Sequence, residues 1–193
     1  PYCSFNRFPF AEERAMPYFA NLRKEMLMLK DLGYDFDSVY VGGGTPVALP
    51  VKELERVLKA IGRHDTEYTV EAGRPDSITE DKLKTLRAHG ISRISINPQT
   101  MKQATLDLIG RHHTVDMVKE KFRMARDLGF DNINMDLIAG LPGETGRHMQ
   151  RTMDEIVNLA PDSVTVHSLA LKRAAFLNQN REQFPVSGAD EVN

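Results

Sequence analysis

Two hydrophobic periods alternate along this chain. Short β-branched runs at 38–41, 67–71, 93–97, 132–138 and 163–168 are each flanked by turn residues and read as strands. Between them lie longer stretches with apolar residues at helical spacing. The first, 11–32, carries Phe19, Leu22, Met26 and Leu29 on one stripe, with Gly33 as its stop. The segments 51–61, 79–89, 115–128 and 147–159 behave likewise, with Thr79 and Thr114 placed as N-caps and Gly90 and Gly129 as closing residues. Strand and helix alternating five times predicts an α/β fold of parallel strands joined by helical crossovers. Periodicity leaves two architectures open, an open doubly wound sheet or a barrel, complete or partial. No linker composition interrupts 1–171, which is expected to form one domain. The weakly periodic tail at 172–193 is expected to lead into a further C-terminal region.

Composition narrows the class. The chain has 193 residues, 41% of them hydrophobic, and no apolar run of bilayer-spanning length, so a soluble globular domain without a membrane span is expected. A formal charge of -2 with no long basic block gives no general attraction to nucleic acid. A single cysteine, Cys3, makes no internal disulfide and suits a reducing compartment. Nothing after Pro1 reads as a secretory signal, so a cytoplasmic location is the default expectation.

In parallel α/β architectures ligands gather at the C-terminal strand ends. After the first predicted strand comes YVGGGTP (40–46), where glycines let backbone approach a ligand and offer it free N–H and C=O groups. The run lacks the Lys-Ser/Thr ending of a P-loop and the spacing of a dinucleotide fingerprint, and a tight structural turn is its bland alternative. The next strands end at Glu71 and near Gln99, and the fourth carries Asp136 inside an apolar stretch. A charged acid there costs several kcal/mol unless it meets a donor or a polar cavity. Ordinary structural partners also exist: Glu71 could pair with Arg74, Gln99 could cap the helix near Met101, and Asp136 could bond backbone. Arg111, between two predicted helices, has the fork geometry to hold a carboxylate. Adjacent His112 and His113 point apart and lack a third ligand at fixed spacing, which argues against a metal site. His167 ends the last strand.

The segments PYCSF (1–5), YVGGGTP (40–46), TVEAGRPDSIT (69–79), ISINPQTM (94–101), LIGRHHT (108–114), INMDLIAGLPGET (133–145) and VHSLALKR (166–173) resemble the radical S-adenosylmethionine (SAM) superfamily, in its branch of oxygen-independent coproporphyrinogen III oxidases. That resemblance implies a partial (β/α) barrel with outer helices. It implies a 4Fe-4S cluster held by three cysteines of a CxxxCxxC loop, with Cys3 as the third. The first barrel strand and the other two cysteines would then precede Pro1, leaving the first strand missing from this chain and the chain inactive by itself. In the pattern so implied, Gly43, Gly44 and Thr45 bind the SAM amino group, and Glu71 and Arg111 order its methionine end. Gln99 and Asp136 meet the ribose hydroxyls, while Tyr2, Ile138 and Ser168 line the adenine.

The activity implied is radical oxidation. A reduced cluster cleaves SAM, a 5'-deoxyadenosyl radical takes hydrogen from a propionate of the porphyrinogen substrate, and loss of carbon dioxide and an electron leaves a vinyl group in haem biosynthesis. No protein side chain is assigned as catalytic, and an electron donor such as flavodoxin or ferredoxin is implied. The rival reading inside the superfamily is a haem chaperone that binds and transfers haem, with His113 or His167 available as axial ligand. A third, a barrel enzyme without iron, leaves the glycine run and the polar strand ends unexplained.

Overall fold

The structure is a computed structural model that describes residues 11–34, 36–170 and 179–180, the side chain of Glu12 excepted. Five strands form one sheet in chain order: β1 (Ser38–Val41), β2 (Glu67–Gly73), β3 (Arg93–Gln99), β4 (Ile133–Ala139) and β5 (Ser163–Ser168). Every neighbouring pair is parallel, and the sheet curves as a half-barrel. The crossovers carry α1 (Glu12–Asp31), α2 (Val51–Ile61), α3 (Glu80–Ala88), α4 (Gln103–Leu108), α5 (Val115–Asp127) and α6 (Gly146–Leu159). Of the two architectures open to periodicity, the partial barrel is the one adopted. Of the tail expected at 172–193, the structure describes residues 179–180 alone.

Helix ends follow local chemistry. The Thr79 and Thr114 side chains accept from the backbone N–H of Lys82 and Met117, at 3.4 and 3.1 Å. Gly33, Gly90 and Gly129 stop their helices at φ of 82°, 81° and 85°, a region closed to most side chains. The helix expected near Met101 is the six-residue α4, too short to show a helical period of its own.

Strand alternation splits the sheet into two chemically distinct faces. Val70, Ala72, Ile94, Ile96, Ile133, Met135 and Leu137 point outward into one core with Leu54, Leu58, Leu83, Leu86, Val118, Phe122 and Ile156 of the helices, all fully buried or nearly so. Each large aliphatic side chain so buried contributes about 1.5–3 kcal/mol. The inner face carries Tyr40, Glu67, Thr69, Glu71, Arg93, Ser95, Asn97, Asn134, Asp136, Ser163, Thr165 and His167. The register aligns them: Tyr40 lies beside Thr69, Glu71 beside Ser95, Ser95 beside Asn134, and Asp136 beside Thr165. A closed barrel fills this space with aliphatic layers; here it is lined with polar groups.

Candidate functional site

The glycine run leaves β1 and turns over the C-terminal end of β2. Gly42 has an ordinary φ, but a Cβ there would collide with the Tyr40 ring and stand 3.1 Å from Glu71 Oε2, so this position needs glycine for close approach. Gly43 and Gly44 instead need it for conformation, at φ of 86° and 139°, and nothing lies within 4 Å of where their side chains would be. Open space therefore borders two exposed peptide units.

Glu71 is tied into this turn. Its Oε2 accepts from the Gly43 N–H at 3.2 Å, and the Tyr40 hydroxyl donates to the same carboxylate. Loss of solvent at the hydroxyl and the bond to Glu71 push the Tyr40 phenol up to about 12, although 63% of the residue's surface is exposed. The alternative pairing of Glu71 with Arg74 is not the arrangement found. One residue pair further, Gly73 (φ 61°) packs against Thr45, whose Cγ2 stands 3.2 Å from the site of a Gly73 side chain. Thr45, Gly43 and Glu71 thus meet at one corner of the rim.

Gln99 departs from expectation in an informative way. Its φ of 72° is unusual for a side chain with a Cβ, and the β3 to β4 register shifts between Ile96 and Gln99. Such backbone strain, of order 1–3 kcal/mol, collects at ligand sites. The side chain is buried and donates from Nε2 to the Asn97 carbonyl at 3.3 Å, so it caps no helix; Lys102 stands at the N-cap of α4. Asp136 bonds no backbone group among the described residues either. Its Oδ1 accepts from Asn134 Nδ2 at 2.6 Å, and the carboxylate is half-buried on the inner face.

Arg111 follows α4, its backbone N–H closing on Leu106 at 2.9 Å. It lies near His113, a buried histidine whose Nε2 is 3.3 Å from the Pro98 carbonyl of β3. Burial lowers the His113 pKa, and the charge of Arg111 lowers it further. Ile138 is buried on the inner face beside His167, whereas Ser168 pairs with Ala139 and so faces the other way at the strand end. Contact by Ser168 with a ligand shared with Ile138 would run through its backbone. Tyr2 and Cys3 lie outside the described residues. Among the described residues no group of three metal-binding side chains is assembled, and no helix is long and apolar enough to cross a membrane.

Several inner-face residues escaped the sequence reading. Asn134, Ser95, Arg93, Ser163 and Thr165 form one hydrogen-bonded set, and Tyr40 joins Glu71. Their signal was present as polar residues at every second position of apolar strands, as in INMD (133–136) and SVTVH (163–167). A further buried set, Thr100 donating to Glu144 at 2.7 Å beside Thr152, braces the loop after β4.

A parallel half-barrel whose strand ends converge on a glycine turn, a tethered glutamate and an inner-face aspartate defines the class: the chain belongs to the radical SAM superfamily, whose family model matches residues 1–156. Among curated relatives it is 40% identical over its whole length to the oxygen-independent coproporphyrinogen-III oxidase-like protein HemZ of Bacillus subtilis, and 33% identical over 92% of its length to the heme chaperone HemW of the same organism. It spans 41% and 49% of those two proteins. Coproporphyrinogen III oxidase (HemN) from Escherichia coli superposes with a TM-score of 0.84 at 25% identity, covering 99% of this chain and 46% of that one.

Membership implies SAM and a 4Fe-4S cluster as cofactors. The rim suits the first: open peptide N–H and C=O groups and a carboxylate match an ammonium, and a carboxylate with a free oxygen matches a diol. Cys3, the cluster ligand that the resemblance implies, lies outside the described residues.

Proposed function

We propose that this chain is the core of an oxygen-independent coproporphyrinogen dehydrogenase, converting coproporphyrinogen III to protoporphyrinogen IX by oxidative decarboxylation. The observation that carries the reading is the rim itself, where Glu71 is held by Gly43 N–H and Tyr40 hydroxyl beside open glycine backbone, with Asp136 on the same inner face. Gly43, Gly44 and Thr45 would hold the SAM amino group, Glu71 and Arg111 would order its methionine end, and Gln99 and Asp136 would take the ribose hydroxyls. Tyr2, Ile138 and Ser168 would line the adenine, and Cys3 would ligate the cluster. When bound, SAM and the cluster supply one-electron chemistry that removes a hydrogen atom from substrate. The chain's own part is to orient the nucleoside and keep solvent from the reacting carbon. Likeness to the oxidase-like HemZ and to the HemN fold supports the porphyrinogen as substrate. A flavodoxin or ferredoxin would serve as electron donor.

Likeness to heme chaperones at 33% identity favours a second reading, in which the protein binds haem and passes it on. Anaerobic reconstitution of the full-length protein with iron and sulfide, then incubation with SAM, reductant and coproporphyrinogen III, separates the two. The dehydrogenase yields 5'-deoxyadenosine and protoporphyrinogen together, and Cys3→Ala abolishes both while leaving haem affinity nearly unchanged. SAM cleavage without porphyrinogen consumption, accompanied by tight haem binding and transfer, would overturn the dehydrogenase reading.

A further inference from the structure

We propose that Asn134 is the positioning residue for Asp136, and that it works as the last link of a one-way hydrogen-bond chain beginning at Arg93. This rests on reading Asp136 as a contact to the ribose of SAM. Asn134 is 5% exposed, two residues before Asp136 on the inner face of β4. Its carboxamide is fully used. Nδ2 donates to Asp136 Oδ1 at 2.6 Å and to Ser95 Oγ at 3.2 Å, while Oδ1 accepts from Ser163 Oγ at 2.9 Å and Thr165 Oγ1 at 3.1 Å. Two N–H groups and two lone pairs are all an amide has. Rotating it by half a turn would set its oxygen against the Asp136 carboxylate and its N–H groups against two hydroxyls, so the surroundings choose one orientation.

Those surroundings are themselves directed. Arg93 Nη2 donates to Ser163 Oγ at 3.2 Å, and Ser163 in turn donates to Asn134. Ser95 accepts from Asn134 and sends its own hydrogen to Asn97 Oδ1 at 2.8 Å. From the guanidinium through Ser163 and Asn134 to Asp136, every donor points the same way, and such chains reinforce each link by polarisation. One oxygen of Asp136 is thereby fixed, and Oδ2 has no protein partner among the described residues. A carboxylate anchored by one oxygen presents the other in a single direction, which is what recognition of a diol requires. The chain also explains how an acid is tolerated in so apolar a strand.

The test is Asn134→Asp in the full-length, anaerobically reconstituted protein, with SAM affinity measured by calorimetry without reductant. The variant keeps the shape and the acceptor for Ser163 and Thr165 but turns the donor facing Asp136 into a second carboxylate. Two carboxylates at that distance hold a proton between them. SAM binding should weaken roughly tenfold or more at about pH 8, the scale of one lost hydrogen bond, and recover as the pH falls toward about 6. The other titratable or charged inner-face groups, Tyr40, Glu67, Glu71, Arg93 and His167, are common to wild type, whose own profile is the reference. In an Asp136→Ala background the same substitution should cost nothing further. Wild-type affinity at every pH, or a pH-independent loss that adds fully to that of Asp136→Ala, would overturn the positioning role. Unchanged affinity in Asp136→Ala itself would instead remove the ribose contact, and this inference with it. Should Asn134→Asp not fold, Ser163→Ala cuts the chain one link earlier, with a several-fold loss expected and no loss refuting the relay.

Discussion

Replacing Gly73 by alanine probes the corner where β2 meets the glycine turn. At φ of 61° an L-residue costs about 1–2 kcal/mol, offset by about 0.4–1 kcal/mol because alanine restricts the unfolded chain. The new Cβ would also stand 3.2 Å from Thr45 Cγ2 and 3.5 Å from its Oγ1. The Thr45 backbone is held, its carbonyl accepting from the Ala48 N–H at 2.8 Å at the start of the 3-10 turn Pro46–Ala48 that packs Val47 into the core, so relief has to come from a change of rotamer at Thr45. Overpacking of this kind adds roughly 1–3 kcal/mol. Gly33, the stop of α1 at φ of 82° with nothing within 4 Å, is the comparison, carrying a positive-φ cost without an overpacked contact. In urea unfolding of the full-length protein, Gly73→Ala should therefore lose roughly 1–3 kcal/mol more than Gly33→Ala. The displaced Thr45 should weaken SAM binding in the first variant and not in the second. Equal losses in both would show that the Thr45 contact carries no energy, and a stability loss with SAM affinity unchanged would detach Thr45 from the ligand.

Tyr68 is fully buried, its hydroxyl has no partner among the described residues, and burial pushes its pKa up to about 12. Tyr68→Phe should raise stability by about 1 kcal/mol, and a destabilised variant would mean that the hydroxyl is satisfied in the folded protein. Because the folded pKa is the higher one, stability present below about pH 10 is lost as the pH climbs toward about 12; Tyr68→Phe should flatten this alkaline limb, with the contribution of Tyr40 remaining. Asp136→Ala should weaken SAM binding by about 1–3 kcal/mol in calorimetry with the circular dichroism spectrum unchanged; intact affinity would make Asp136 structural. Thr114→Ala, removing the 3.1 Å bond to Met117 N–H, should cost about 1 kcal/mol in thermal unfolding, and no change would show that solvent caps α5 equally well.

Strands, crossover helices and their order were legible because each element repeats a simple period and ends in residues whose backbone preferences are local. The ranges 38–41, 51–61 and 163–168 are the same in sequence and structure, and Thr79 and Thr114 cap as their side chains require. Family resemblance marked Gly43, Thr45, Glu71 and Asp136, and the first three do meet at one corner. Curvature was not legible in the periodicity, since open sheets and barrels share one hydrophobic pattern, and only the family resemblance pointed to the partial barrel. Nor were the strained φ of Gln99, the collision that reserves Gly42, or the chain from Arg93 through Asn134 to Asp136. These depend on residues brought together from different strands by register and twist. A period read along one strand reports which face a side chain takes, but only the pairing of neighbouring strands decides what it meets there.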